Sequence, residues 1–176
     1  MTSPQKNDML DSLKLIGTGK AFQDELCSMI ATTQMFRDFE WHDIEALSGY
    51  MQAYEASDGT TLFREGEKGT YVCLIIKGKV DVYKEDHHDR KKIVATIGSG
   101  KTLGEMAIID GEPRSATAIV AEPTTLTILT ETNFLRIISE KPALATKILL
   151  KIARLLSQRL RQTSGILVDY LESKAD

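Results

Sequence analysis

Between residues 58 and 130 the apolar stretches are short, and glycine-bearing turns separate them. Six segments read as strands: Thr61–Arg64, Thr70–Ile76, Lys79–Lys84, Lys92–Ile97, Ser115–Ala121 and Thr125–Thr130. Side chains alternate visibly at Val80/Val82, at Ile93/Ala95/Ile97 and at Leu126/Ile128. Turn signals fall between them at Asp58-Gly59, Glu65-Gly66, Gly69, Lys77-Gly78 and Gly98-Ser99-Gly100. Short strands at this spacing restrict the region to an antiparallel barrel or jelly roll.

Helical patterns flank that region. Phe22, Leu26, Met29 and Ile30 mark one helix, and Ile44, Leu47, Met51 and Tyr54 predict a second. Met35-Phe36-Arg37-Asp38-Phe39 between them reads as a tight apolar turn that plugs a core. From Glu131 onward, Phe134, Leu135 and Ile138 suggest a short helix ended by Lys141-Pro142. A long helix follows, from about Pro142 toward Lys174. The expected fold class is therefore α+β: an antiparallel β jelly-roll barrel with N-terminal helices and a long C-terminal helix. The expected boundaries are 1–57 for the N-terminal helical segment, 58–130 for the β-roll and 131–176 for the hinge and dimerisation helices.

The long helix carries two apolar stripes. Ile148, Ile152 and Leu155 form one. Leu149, Ala153, Leu156, Leu160, Thr163, Leu167 and Tyr170 form the other, a heptad seam with 4-3-4-3-4-3 spacing. A helix with two faces to bury is expected to offer one to a second copy of the chain, which predicts a homodimer. Gly165 interrupts the seam and is expected to kink or fray the helix.

The chain's 176 residues allow one good core. The formal net charge of -3 gives no support to nucleic-acid binding by the whole chain. No apolar run approaches the length of a membrane span. The polar stretch from Met1 to Lys14 has no signal-peptide core. Cys27 and Cys73 read as buried free thiols, and the expected compartment is the cytoplasm. A metal-dependent enzyme on a jelly roll would need clustered ligands on strands. His42 precedes a helix, and His87 and His88 share the charged hairpin tip Glu85–Lys92, so no metal site and no enzymatic activity are expected.

One string between two strands carries the functional chemistry: Gly104-Glu105-Met106-Ala107, a short apolar turn closed by Asp110-Gly111, then Pro113-Arg114-Ser115-Ala116-Thr117. A phosphate diester has a full negative charge and needs donors. Arg114 can supply parallel hydrogen bonds in a planar fork that lysine cannot match. The first turn of a helix starting near Glu105 has unpaired N–H groups, and Gly104 and Ala107 let a ligand approach them. Glu105 can accept from sugar hydroxyls and help hold Arg114. Ser115 can donate, and Ala116 leaves room.

This string resembles the phosphate-binding cassette of the cyclic nucleotide-binding domain family. The resemblance extends over roughly residues 35–164 and includes Gly59-Thr60-Thr61-Leu62-Phe63-Arg64-Glu65-Gly66-Glu67 and the turn at Gly78. It implies that Glu105 binds the ribose 2′-hydroxyl and Arg114 the cyclic phosphate. Backbone amides near Gly104, Met106 and Ala107, together with Ser115, complete the implied site. Arg159-Leu160-Arg161-Gln162-Thr163-Ser164 is similar to the dimer helix of bacterial catabolite activators. There a Thr-Ser pair touches adenine, the serine coming from the partner chain. That likeness implies Thr163 and Ser164 as base contacts and favours cAMP; Ser115 keeps cGMP as an alternative. The expectation is a stand-alone cyclic nucleotide receptor with no other cofactor, no DNA and no membrane, acting on an unidentified effector protein. The ligand-sensing part of a transcription regulator, or a sensor of another cyclic nucleotide, is the alternative.

Overall fold

The computed structural model describes residues 13–17, 20–85 and 90–173. Two compact units divide it, one up to Arg136 and one from Ile137. The polar N-terminus before Leu13, and His87 and His88, lie outside the described residues.

The first unit opens with a short strand, β1 (Lys14–Leu15), and two helices, α1 (Lys20–Ala31) and α2 (Trp41–Ser48). Leu26, Cys27 and Ile30 of α1 are buried, as are Ile44 and Leu47 of α2. The Cys27 thiol donates to Ser48 Oγ at 3.2 Å, and the Ser48 hydroxyl donates to the Glu45 carbonyl at 2.8 Å. Met35 and Phe36 are buried in the turn between the helices, and Phe36 meets Phe39 edge to face, ring centroids 5.0 Å apart.

The remaining strands are β2 (Met51–Ala56), β3 (Thr61–Phe63), β4 (Tyr71–Lys77), β5 (Lys79–Glu85), β6 (Lys91–Gly98), β7 (Thr102–Leu103), β8 (Thr117–Val120) and β9 (Thr124–Thr130). Helix α3 (Glu105–Asp110) lies between β7 and β8. All pairings are antiparallel. They form one sheet ordered β1-β2-β9-β4-β7 and another ordered β3-β8-β5-β6. The roll is thus two sheets and not a single closed barrel. Its core lies between them, with Tyr54, Tyr71, Cys73, Ile75, Leu126 and Ile128 from the first sheet meeting Leu62, Phe63, Val80, Ala118 and Val120 from the second.

All six strands expected from the sequence form within a residue or two of the expected limits. The second N-terminal helix does not run through Met51 and Tyr54. It stops at Ser48, Gly49 caps it, and the chain enters β2. Both Ala53 and Tyr54 are buried in β2, so strict alternation fails there. The i, i+3 spacing of Met51 and Tyr54 then imitates a helix. Pairing across β9, from Met51↔Leu129 to Ala56↔Thr124, fixes it as a strand.

Helix α4 (Glu131–Glu140) leads into the second unit, which holds α5 (Pro142–Ser173). At 32 residues α5 is ~48 Å long. Proline opens it at the position where its missing N–H costs nothing. The helix runs through Gly165 without a break, because a lone glycine lowers helix propensity without removing a hydrogen bond. Leu144, Ala145, Ile148 and Ile152 are buried, whereas the heptad residues Leu149, Leu160, Leu167 and Tyr170 are exposed. Among the described residues no helix is long and apolar enough to cross a membrane.

Candidate functional site

Strand β7 is only two residues long, yet it sets the site. Its pairs Cys73↔Leu103 and Leu74↔Thr102 bring Gly104 beside the start of β4. Gly104 has φ +83° and so turns the chain from β7 into α3. Gly111 closes that helix with its N–H on the Ala107 carbonyl at 3.1 Å, and the Glu112 N–H donates to Asp110 Oδ1 at 3.0 Å. This is the glycine-opened, Asp-Gly-closed turn expected from the sequence.

The chain then returns through Arg114, whose backbone is clasped by the β3–β4 turn. The Arg114 N–H donates to the Glu67 carbonyl, and the Gly66 N–H donates to the Arg114 carbonyl, each at 2.8 Å. The Glu65 N–H donates to Thr117 Oγ1 at 3.0 Å, extending the clasp into β8.

Arg114 is only 3% exposed. Its Nη1 donates to the Gly104 carbonyl at 2.8 Å and its Nη2 to the Tyr71 carbonyl at 2.7 Å. The guanidinium carbon lies 4.2 Å from the Phe63 ring centroid and 4.8 Å from that of Tyr71. The Nε–H is buried and has no hydrogen-bond partner among the described residues. A guanidinium has five N–H groups. The two carbonyls therefore fix the fork at Nη1 and Nη2, and the Tyr71 hydroxyl also lies within reach of the guanidinium.

Space around the fork is kept by glycine. A Cβ on Gly104 would collide with Arg114 Nη1, and one on Gly69 would collide with the Ala107 methyl while lying 3.2 Å from the guanidinium. Burial pulls the Arg114 pKa down, while Cys73, Tyr71, Glu105 and Glu67 push it back up. Glu105, the first residue of α3, is 1% exposed and contributes to that field. A buried carboxylate and a buried guanidinium thus stand near one another, each on its own turn.

The structure brings Gly104, Glu105, Met106, Ala107, Arg114, Ser115 and Ala116 together within the first unit. Ala107 is buried and Met106 is exposed, and Ser115 is exposed with its Oγ 4.0 Å from Met106 Sδ. Thr163 and Ser164 lie in the second unit, exposed on α5, where Ser164 Oγ donates back to the Leu160 carbonyl at 2.9 Å. Phe63, Gly69 and Tyr71, which also border the guanidinium, carry no site motif in the sequence. Two aromatic residues flanking a glycine-rich turn, at the end of one strand and the start of the next, were the available signal.

The profile of the cyclic nucleotide-binding domain matches residues 54–141, half of the chain. The chain belongs to the cyclic nucleotide-binding domain family. It is 27% identical over 143 residues to a CRP-like cAMP-activated global transcriptional regulator of Mycobacterium tuberculosis, covering 81% of this chain and 62% of that protein. It is 28% identical to the cyclic AMP receptor protein of Thermus thermophilus, over 73% of this chain and 57% of that one. The chain thus spans about three fifths of the length of these relatives. Among solved structures, a cyclic nucleotide-binding domain from Methylobacillus flagellatus superposes with a TM-score of 0.79 at 29% identity, covering 93% of this chain and 92% of the other. The catabolite activator protein of Thermus thermophilus superposes with a TM-score of 0.68 at 27% identity, over 78% of this chain and 62% of that one.

Proposed function

We propose that this chain is a cyclic nucleotide receptor that takes cAMP, with cGMP as the nearest competitor. One observation carries the reading: a guanidinium buried to 3% exposure, pinned by two carbonyls, with an unpartnered Nε–H. A buried cation held in this way has much of its desolvation cost already met by the fold, so an anion that reaches it gains a charge-assisted contact. Arg114 takes the cyclic phosphate. Glu105 accepts from the ribose 2′-hydroxyl, and the amides of Gly104, Met106 and Ala107 with the Ser115 hydroxyl complete the cradle, Ala116 leaving the space. Thr163 and Ser164 approach the base in a homodimer joined along the exposed seam of α5.

Signalling runs through α4 and α5 to an effector protein. The ligand shifts these helices only by as much as it prefers one of their arrangements. The likeness to CRP-like regulators supports a second reading, in which the chain is the ligand-sensing part of a transcription regulator. The two differ in the output and share the site.

Calorimetric titration with cAMP, cGMP and cyclic dinucleotides tests the ligand class. Saturable binding of cAMP, weaker for its 2′-deoxy analogue, is expected. Glu105→Gln should weaken cAMP more than the deoxy analogue. A preference for a cyclic dinucleotide over both mononucleotides would replace the reading.

A further inference from the structure

We propose that Phe63 and Tyr71 are positioning residues that hold the Arg114 guanidinium in its anion-binding orientation. The inference rests on the assignment of Arg114 to the cyclic phosphate.

The two hydrogen bonds from Nη1 and Nη2 end on carbonyls, which are neutral. They fix the fork's edge but do not define the tilt of its plane. The ring contacts do. Phe63 comes from the end of β3 in one sheet, and Tyr71 from the start of β4 in the other. Their rings stand at 67° to each other, centroids 6.4 Å apart, and the guanidinium carbon lies within 5 Å of both. Ring faces attract the cation without using any of its N–H groups. The charge is therefore held while the Nε–H is left for a ligand.

Each ring is itself locked. Phe63 is 7% exposed and Tyr71 4%. The Tyr71 hydroxyl donates to the Leu62 carbonyl, in the residue preceding Phe63. That bond ties the two strands together beside the fork. It gives a reason for tyrosine at 71: the hydroxyl serves the strand contact and also reaches the guanidinium, while the ring meets the cation. Glycine at 69 and 104 leaves the guanidinium room to settle in this corner.

The test has two arms. In ligand-free protein, NMR of the arginine side chains reads the clamp directly. The Arg114 Nε–H should be shifted by the ring currents and its guanidinium rotation slowed, and Phe63→Leu, which leaves only the Tyr71 ring, should reduce both effects. Tyr71→Phe, which keeps the ring but removes the hydroxyl, should preserve the ring-current shift. If Phe63→Leu, folded by the same spectra, leaves the Arg114 signals unchanged, the clamp is refuted whatever the ligand proves to be.

The second arm is a double-mutant cycle on cAMP affinity. Phe63→Leu should weaken binding by about 3- to 30-fold in the wild-type background, the range of cation–π contacts from exposed to desolvated. In Arg114→Ala it should add less than twofold, because its effect passes through the guanidinium. It should also narrow the discrimination between the two diastereomeric cyclic phosphorothioates, which depends on fork orientation. Equal losses in both backgrounds, with discrimination intact, would make Phe63 a packing residue and overturn the proposal. Absence of cAMP and cGMP binding in the wild type would instead remove the ligand assignment, with the clamp still decided by the NMR arm.

Discussion

Cys73 lies on β4 two residues from Tyr71, fully buried in the intersheet core. Burial pushes its thiol up to about 12 from an ordinary 9.0, with Arg114 pulling it down and Glu105 pushing it up. Burial also raises the Tyr71 phenol above its ordinary 10.0. Both shifts mean that the folded state holds the proton more tightly than the unfolded state. Their contribution is whole below pH 9.0 and is lost as pH rises from there toward 12. Stability from urea denaturation should fall between pH 9 and 11, and Cys73→Ala should flatten that fall while lowering stability at neutral pH through the cavity it leaves. An unchanged slope in Cys73→Ala would remove the thiol from the account. Arg114 was legible from sequence because a planar fork next to Gly-Glu has few other uses. Its aromatic clamp was not, because Phe63 and Tyr71 meet it only after two sheets close on one another.

Among the elements, α3 separates two kinds of glycine. Gly104 and Gly111 both have positive φ, at +83° and +72°. A Cβ on Gly111 meets nothing within 4 Å, whereas one on Gly104 runs into Arg114 Nη1. Gly111→Ala should therefore cost only the left-handed strain, about 1 kcal/mol and ~2–4 °C in Tm. Gly104→Ala should cost more and should also displace the guanidinium, so nucleotide affinity falls with it. Equal affinity for the two variants would show that Gly104 only opens a helix. Six strands announced themselves by short apolar stretches between glycine turns, three of them also by alternation, and α5 by its heptad seam. β2 did not, because Ala53 and Tyr54 are both buried and break the alternation. The two-residue β1 and β7 are too short for any period, and pairing alone defines them.

At the scale of the molecule, α5 shows Leu160, Leu167 and Tyr170 more than half exposed along the heptad seam. Helices rarely leave such a stripe to water, so the proposed homodimer covers it. Leu156→Glu should convert the dimer to monomer in sedimentation at micromolar concentration, because it buries an unpaired charge. The cassette should remain folded in that variant. A wild-type monomer with saturating cAMP would end the dimer proposal without touching Arg114.

Arg114 is proposed as a cation prepared for a cyclic phosphate. Calorimetric titration of cAMP into wild type and Arg114→Ala, matched for folding by thermal unfolding, tests it most directly. Losing one partner of a buried charge-assisted contact costs about 2–5 kcal/mol. Binding should be saturable in the wild type and weakened by tens-fold to thousands-fold in the variant, with Arg114→Lys also impaired because the fork is lost. An Arg114→Ala protein that binds cAMP as tightly as wild type would contradict it.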